Sequence, residues 1–369
     1  MNILVTGANG FIGKNLIADL NYSTDYKVFK VTRDTTDAEL EGYCEKADFV
    51  YHLAGVNRPS DESEFMKGNY EFTKKFLKKL KEKKSKAPIL ISSSTQAEKY
   101  NPYGESKRAG EELVFKYKEE TGNNVFVYRL PNVFGKWSKP NYNSVVATFC
   151  HNIANGLPIT VNDESVNLKL VYIDDVVKEF KSTLTHDKNI PNRFCEVNPV
   201  HEVKLGKIVE LIYSFKKSRE KRTIPDMNDS FTKKLYSTYL SYLPENQFNY
   251  DLKMNLDERG SFTEFIKTVD RGQVSVNVSK PGVTKGNHWH HSKNEKFLVV
   301  SGEGVIRFRK IGSNELIEYY VSEENFEVVD IPTGYTHNIE NLGEKDMVTV
   351  MWANEIFDPE NADTYFEEV

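Results

Sequence analysis

The chain opens with a strand, a glycine-rich turn and a helix, and this restricts the fold of its first half more than any other stretch. Asn2-Ile-Leu-Val-Thr6 is a short apolar run, Gly7-Ala-Asn-Gly-Phe-Ile-Gly13 spaces its glycines as G-x-x-G-x-x-G, and Lys14-Asn-Leu-Ile-Ala-Asp-Leu20 has helical apolar spacing. Glycines at these points let the backbone approach a pyrophosphate and the helix pack close to the sheet, while the helix N-terminus favours negative charge. Such a turn occurs in many α/β proteins, but at the start of a βαβ unit it points to a bound dinucleotide. The expected contacts are Gly7, Gly10, Phe11, Ile12 and Gly13. Apolar runs recur at 27–32, 47–53, 88–93 and 124–130 with helical patterns between them. The alternation predicts a doubly wound, Rossmann-type α/β domain with a parallel sheet. At the end of the second run, Val31-Thr32-Arg33 sets a cation where an NAD enzyme usually carries a carboxylate for the ribose hydroxyls. Arg33 therefore favours the 2'-phosphate of NADPH, with Asp34 and Asp37 close by in sequence.

Past about residue 245 the texture changes. Gln273–Ser279, Lys296–Val300, Gly304–Arg309 and Met347–Trp352 are short, β-rich and often alternating, with Gly or Pro turns between them, as in a sandwich or barrel. A boundary near Leu243-Pro-Glu-Asn-Gln247 divides the 369 residues into 1–245 and 246–369. The net charge of −5 lacks the basic excess that phosphate backbones attract, so no nucleic-acid partner is expected. Residues 74–86 carry eight lysines, with Phe72, Phe76 and Leu80 on one helical face, and read as a solvated surface without further function. No apolar run is long enough to span a membrane, and Met1 to Gly7 reads as strand and turn rather than signal peptide, so a cytoplasmic protein without a membrane partner is expected. Cys44, Cys150 and Cys195 are an odd number without C-x-x-C spacing, which suggests neither disulfides nor a thiolate metal site.

The second half carries a metal signature. His288, His290 and Glu295 fall between Gly282 and Gly302 as G-x5-H-x-H-x4-E-x6-G, and His337 follows Pro332 and Gly334 as P-x-G-x2-H-x3-N. Two histidines at i, i+2 share a strand face, a carboxylate arrives from the next strand, and a third histidine comes from a later hairpin. Three imidazoles and one carboxylate suit Zn, Fe, Mn or Ni.

The opening motif, His52-Leu-Ala-Gly55, Tyr103-Gly-Glu-Ser-Lys107, Arg129-Leu-Pro-Asn-Val-Phe-Gly135 and Val171-Tyr-Ile-Asp-Asp-Val176 together resemble the extended short-chain dehydrogenase/reductase family over residues 1–243. Tyr and Lys at i, i+4 share a helix face, so the ammonium can lower the phenol pKa and hold the nicotinamide ribose while Tyr103 protonates a carbonyl that receives hydride. The resemblance further implies that Leu53 and Ala54 line the dinucleotide and that a strand-end hydroxyl joins Tyr103 and Lys107. Ser94 is the choice among Ser92-Ser-Ser-Thr95, with Ser93 and Thr95 as alternatives. Only eight residues separate Ser94 from Tyr103, fewer than in relatives.

The histidine blocks resemble both motifs of the cupin family over 250–369, except that Phe326 replaces the leading glycine of the second. That implies an all-β jelly-roll barrel with one divalent ion, zinc being expected, held by His288, His290, Glu295 and His337. Lys285-Gly-Asn-His288 also resembles the Arg-Gly-x-His segment of nucleotide-sugar epimerase cupins, whose histidine is a base, so His288 is either fourth ligand or base. His291 fits no ligand position.

As a whole, the chain resembles the bifunctional, CapF-type capsular polysaccharide enzymes of Gram-positive bacteria. The implied substrate is a UDP-linked 4-keto-6-deoxy-N-acetylhexosamine. Cupin-catalysed C3 epimerisation and NADPH-dependent C4 reduction would yield UDP-2-acetamido-2,6-dideoxy-L-talose, on the route to UDP-N-acetyl-L-fucosamine, in a homodimer. The competing readings are a nucleotide-sugar 4-epimerase or dehydratase with a regulatory cupin, and a non-enzymatic sugar-nucleotide sensor.

Overall fold

The five apolar runs of the first half become β1 (Asn2–Thr6), β2 (Lys27–Val31), β3 (Phe49–His52), β4 (Ile89–Ser94) and β5 (Val125–Leu130), all parallel, in the order β2-β1-β3-β4-β5. The computed structural model describes residues 1–185 and 193–369. These form two units, Met1–Tyr213 with Asp229–Pro244, and Ser214–Asn228 with Glu245–Val369.

In the first unit the sheet is covered on both faces, so its strands read as nearly continuous apolar runs. Leu16, Ile17, Val176 and Phe180 pack on one face with Ile3, Val5 and Tyr51. Leu40, Phe76, Leu80 and Tyr117 pack on the other with Leu4, Val50 and Ile89. Because β2 and β3 flank β1 on opposite sides, the winding reverses between β1 and β3. The carboxyl ends of these two strands therefore frame the crevice where open α/β sheets take ligands. Helix Phe72–Glu82 buries Phe76, Leu77 and Leu80 and turns its lysines toward carboxylates, Lys75 to Asp37, Lys79 to Glu41 and Lys81 to Glu120. A second sheet, β6 (Asn132–Phe134), β7 (Asn167–Tyr172) and β8 (His201–Lys204), is short and mixed.

In the second unit the named strands pair antiparallel. Its strands are β9 (Met254–Asp257), β10 (Gly260–Thr268), β11 (Gly272–Ser279), β12 (Thr284–Trp289), β13 (Glu295–Ser301), β14 (Glu303–Lys310), β15 (Leu316–Ser322), β16 (Val329–Ile331), β17 (Tyr335–Asn341), β18 (Met347–Ala353) and β19 (Tyr365–Phe366). They form two sheets, β16-β13-β18-β11-β10-β9 and β15-β14-β17-β12-β19. Phe297, Val299, Val329 and Met347 of the first meet Ile306, Phe308, Val321 and Ile339 of the second in one core. Among the described residues no helix is long and apolar enough to cross a membrane. None of the three cysteines forms a disulfide; Cys44 and Cys150 are buried and Cys195 is half-buried.

Candidate active site and metal centre

In the first unit the glycine turn leaves β1 directly against the end of β3. Gly7 has φ +69°, and a Cβ there would lie 2.7 Å from the Ala54 amide nitrogen. A Cβ on Gly13 would strike the Gly7 carbonyl oxygen. Both positions therefore need glycine, and the resulting cradle is the kind a pyrophosphate occupies. The Ala8 amide donates to the Val31 carbonyl at 3.2 Å, which ties the turn to the end of β2. Arg33, two residues on, is exposed. Of the two carboxylates nearest in sequence, Asp37 is engaged by Lys75 at 2.8 Å.

A buried relay that the sequence did not disclose sets the cradle's far wall. The Ala54 amide donates to Thr6 Oγ1, whose hydroxyl donates to His52 Nδ1 at 2.8 Å, and His52 Nε2 reaches Thr73 Oγ1 at 2.9 Å. Thr73 spends its proton on the Asn69 carbonyl, so it can only accept from His52. His52 is thus a neutral Nε2–H tautomer, in keeping with burial pushing its pKa down to about 3 with help from Lys107. Asn69 accepts from the Val56 amide and donates to Ser106 Oγ, which ties this wall to the helix carrying Tyr103 and Lys107.

That helix, Pro102–Thr121, starts where Asn101 accepts from the Gly104 amide and Pro102 fills the first turn. Tyr103 therefore sits at its first turn and Lys107 one turn on, on the same face. The Tyr103 hydroxyl donates to Asn57 Oδ1 at 3.1 Å, and Lys107 Nζ lies 5.9 Å from the Tyr103 ring centroid and donates to the Ser92 carbonyl at 3.2 Å. Burial raises the Tyr103 phenol above its ordinary value, and the neighbouring Ser94 hydroxyl pulls it back. Burial pushes the Lys107 ammonium down to about 8, against the opposing charge of Glu111. The strand-end hydroxyls differ. Ser93 is buried and donates to Glu111 Oε1 at 2.5 Å, Thr95 is exposed, and Ser94 stands beside the phenol.

In the second unit β12 and β17 pair so that His288 faces His337, while His290 follows the end of β12 and Glu295 opens β13. One ligand atom from each of the four residues lies within 4.8 Å of the others. The Nε2 atoms of His290 and His337 each stand 3.4 Å from the same oxygen, Glu295 Oε2. His290 Nδ1 meets the Asp363 carbonyl at 2.5 Å, so Nδ1 carries the proton and Nε2 presents its lone pair. Burial alone would raise the Glu295 carboxyl, but His290, His337 and Lys293 hold it well below the usual carboxylate range. Burial, reinforced by His337 and His290, pushes His288 down to about 4. His290 thus turns an Nε2 lone pair toward the Glu295 carboxylate with no proton of its own between them. His290 Nε2 and both nitrogens of His337 are buried without a hydrogen-bond partner. Each such orphan costs about 1–3 kcal/mol, and a divalent cation at the centre would take up His290 Nε2 and one nitrogen of His337. His288, Glu295 and His337 line a cavity of about 550 Å³ together with Lys285, Asn277 and Lys293. His291 is exposed and packs edge-on against Tyr365.

Lys293 and Asp363 were missed from sequence. Lys293 Nζ holds Glu295 Oε1 at 3.1 Å, and Asp363 lies in a tail segment that has no motif of its own.

Comparison with known proteins covers both halves. Residues 3–195 match the NAD dependent epimerase/dehydratase family, and residues 255–365 match the polysaccharide biosynthesis C-terminal domain. A curated relative from Pseudomonas aeruginosa, UDP-2-acetamido-2,6-beta-L-arabino-hexul-4-ose reductase, is 46% identical over 366 residues, 99% of this chain and 98% of the relative. The crystal structure of the capsular polysaccharide assembling protein CapF from Staphylococcus aureus superposes with a TM-score of 0.95 at 60% identity, over 100% of both chains. CapF with the inhibitor 3-isopropenyl-tropolone superposes at 0.90 with 56% identity, again over 100% of both chains.

Proposed function

The chain belongs to the NAD dependent epimerase/dehydratase family, and from that premise we propose that it is a bifunctional nucleotide-sugar enzyme of capsular polysaccharide synthesis. Its substrate is a UDP-linked 4-keto-6-deoxy-N-acetylhexosamine. A cupin domain, residues 246–369, inverts C3. A reductase domain, residues 1–245, then reduces C4 with NADPH and releases UDP-2-acetamido-2,6-dideoxy-L-talose. The observation that carries this reading is the relative aligned over 99% of the chain, because its printed name sets a ketone at C4 of a UDP sugar. A C4 ketone gives both sites work.

The order of steps follows from acidity. A C3 proton is removable only while C4 is a ketone able to take up the charge, so reduction comes last. In the cupin, His290, Glu295 and His337 would hold a divalent ion, with zinc expected, and His288 is either the base that takes the C3 proton or a fourth ligand. When bound, such an ion would supply positive charge that stabilises the enolate. In the reductase, the amides of the Gly7–Gly13 turn would hold the pyrophosphate, Leu53 and Ala54 would line the dinucleotide, and Lys107 would hold the ribose. NADPH supplies hydride to C4. Tyr103 gives its proton to the C4 oxygen, Ser94 orients that oxygen, and the Lys107 charge makes the phenol more acidic.

The decisive experiment follows the keto sugar in deuterated water by mass spectrometry and NMR, with and without NADPH. Deuterium should enter C3 without NADPH, and one NADPH should be consumed per talose product. No C3 label in the absence of NADPH, or turnover without NADPH oxidation, would overturn the two-step reading.

Arg33 tests the choice of cofactor. Its guanidinium can bind a 2'-phosphate bidentately, while NADH leaves it unpartnered. Arg33→Ala should narrow the ratio of kcat/KM for NADPH over NADH. An unchanged ratio would assign the phosphate to another residue.

A further inference from the structure

We propose that Asp363 is a positioning residue for the metal centre, fixing two of the four candidate ligands, His290 and Glu295, through separate groups. The inference rests on reading the cluster as a metal centre. Asp363 comes 73 residues after His290. Its backbone carbonyl accepts the His290 Nδ1 proton at 2.5 Å, which sets the tautomer and the ring direction. Its carboxylate gathers the loop that follows, accepting from the amides of His291 at 3.0 Å, Ser292 at 2.7 Å and Lys293 at 2.9 Å, and from Ser292 Oγ at 3.0 Å.

That loop ends at Lys293, whose ammonium takes Glu295 Oε1 at 3.1 Å. Glu295 Oε2 is the oxygen left facing His290 and His337. The carboxylate of Asp363 thus acts on Glu295 through Lys293, and its carbonyl acts on His290 directly. Partners of this kind keep ligands aligned, and their loss typically weakens metal binding. The tail has other fasteners that do not touch the ligand loop. Arg309 binds Glu367 Oε1 at 2.9 Å, and Thr336 Oγ1 donates to the Glu367 carbonyl. Docking of the tail and positioning of the ligands are therefore separable.

The test measures zinc and cobalt affinity of the full chain by chelator competition, together with the visible spectrum of the cobalt form and the melting of the metal-free form. Asp363→Ala should weaken binding about 10- to 100-fold and shift the cobalt bands. Asp363→Asn, whose amide oxygen still accepts, should fall between it and the wild type, and Glu367→Gln should bind like wild type. Unchanged affinity and spectrum in Asp363→Ala would overturn the proposal, as would an equal loss in Glu367→Gln, which would mean that tail docking is all that matters. If Asp363→Ala lacks a cooperative melt, Asp363→Asn decides, and wild-type affinity there overturns the proposal. A wild-type chain that binds neither metal stoichiometrically would overturn the metal reading beneath it, a result distinct from a wild type that binds and a variant that binds equally well.

Discussion

Tyr103→Phe should lower NADPH oxidation on the 4-keto sugar about 10²- to 10⁴-fold, the usual worth of a positioned general acid, while C3 exchange continues. The phenol is the group beside both Ser94 and Lys107, and Phe keeps the ring that packs 5.5 Å from Phe65 but removes the proton. Exchange survives because the histidine cluster belongs to the other unit. A mutant rate within a few-fold of wild type would remove Tyr103 from the mechanism. The wild-type pH profile carries a second sign. Lys107, pushed down to about 8 by burial, is charged below that pH and neutral above it. If its charge acidifies the phenol and holds the ribose, kcat/KM for NADPH, which reports the free enzyme, should fall as pH rises through about 8. A profile that rises there would show that the ammonium is not the active form.

The parts legible in the sequence are those where chemistry leaves one residue type little competition. Gly7, at positive φ, and Gly13, with the Gly7 carbonyl at contact distance, were readable because neither position admits anything larger. The five parallel strands were readable because burial on both faces makes most of their positions apolar, exceptions being the exposed lysines of edge strand β2 and the serines that end β4. The histidine cluster was readable because β12, β13 and β17 each deliver ligands at fixed spacing. Other features left no comparable trace. Sheet order depends on where crossovers land, and β6, β8 and β15 are short or largely exposed, so no apolar period marks them. Four adjacent hydroxyls cannot reveal strand phase. Only the fold turns Ser93 toward Glu111 and leaves Ser94 beside the phenol. The short connection to Tyr103 suffices because one 3-10 turn, Thr95–Glu98, and the Asn101 cap use it up. Asp363 meets His290 through a backbone carbonyl, which every residue possesses, so no residue type could have signalled that contact.

Glu295→Gln and His337→Ala should each strip the second unit of its metal and suppress C3 exchange. In the wild-type cluster the Nε2 lone pair of His290 points at the ionised Glu295 oxygen, an arrangement that repels unless a cation lies between them. Glutamine removes the charge and can offer an amide N–H to the His290 lone pair, so the two groups can satisfy one another without an ion. His337→Ala removes one lone pair and opens space beside Phe308 and Phe297, whose rings lie 6.4 and 6.0 Å from the imidazole. Stability separates the roles of the ion. An ion that binds only the folded chain adds about 2.7 kcal/mol when its free level is 100 times Kd. The wild-type melting temperature should therefore climb with added metal, and that of Glu295→Gln should stay flat. A full equivalent of metal in both variants by elemental analysis would dismiss the ligand assignment. Metal-free wild type that exchanged the C3 proton at the native rate while melting lower would make the ion purely structural. The exchange chemistry would then fall to His288, held neutral by burial and by the histidines around it, with a second donor from the cavity wall.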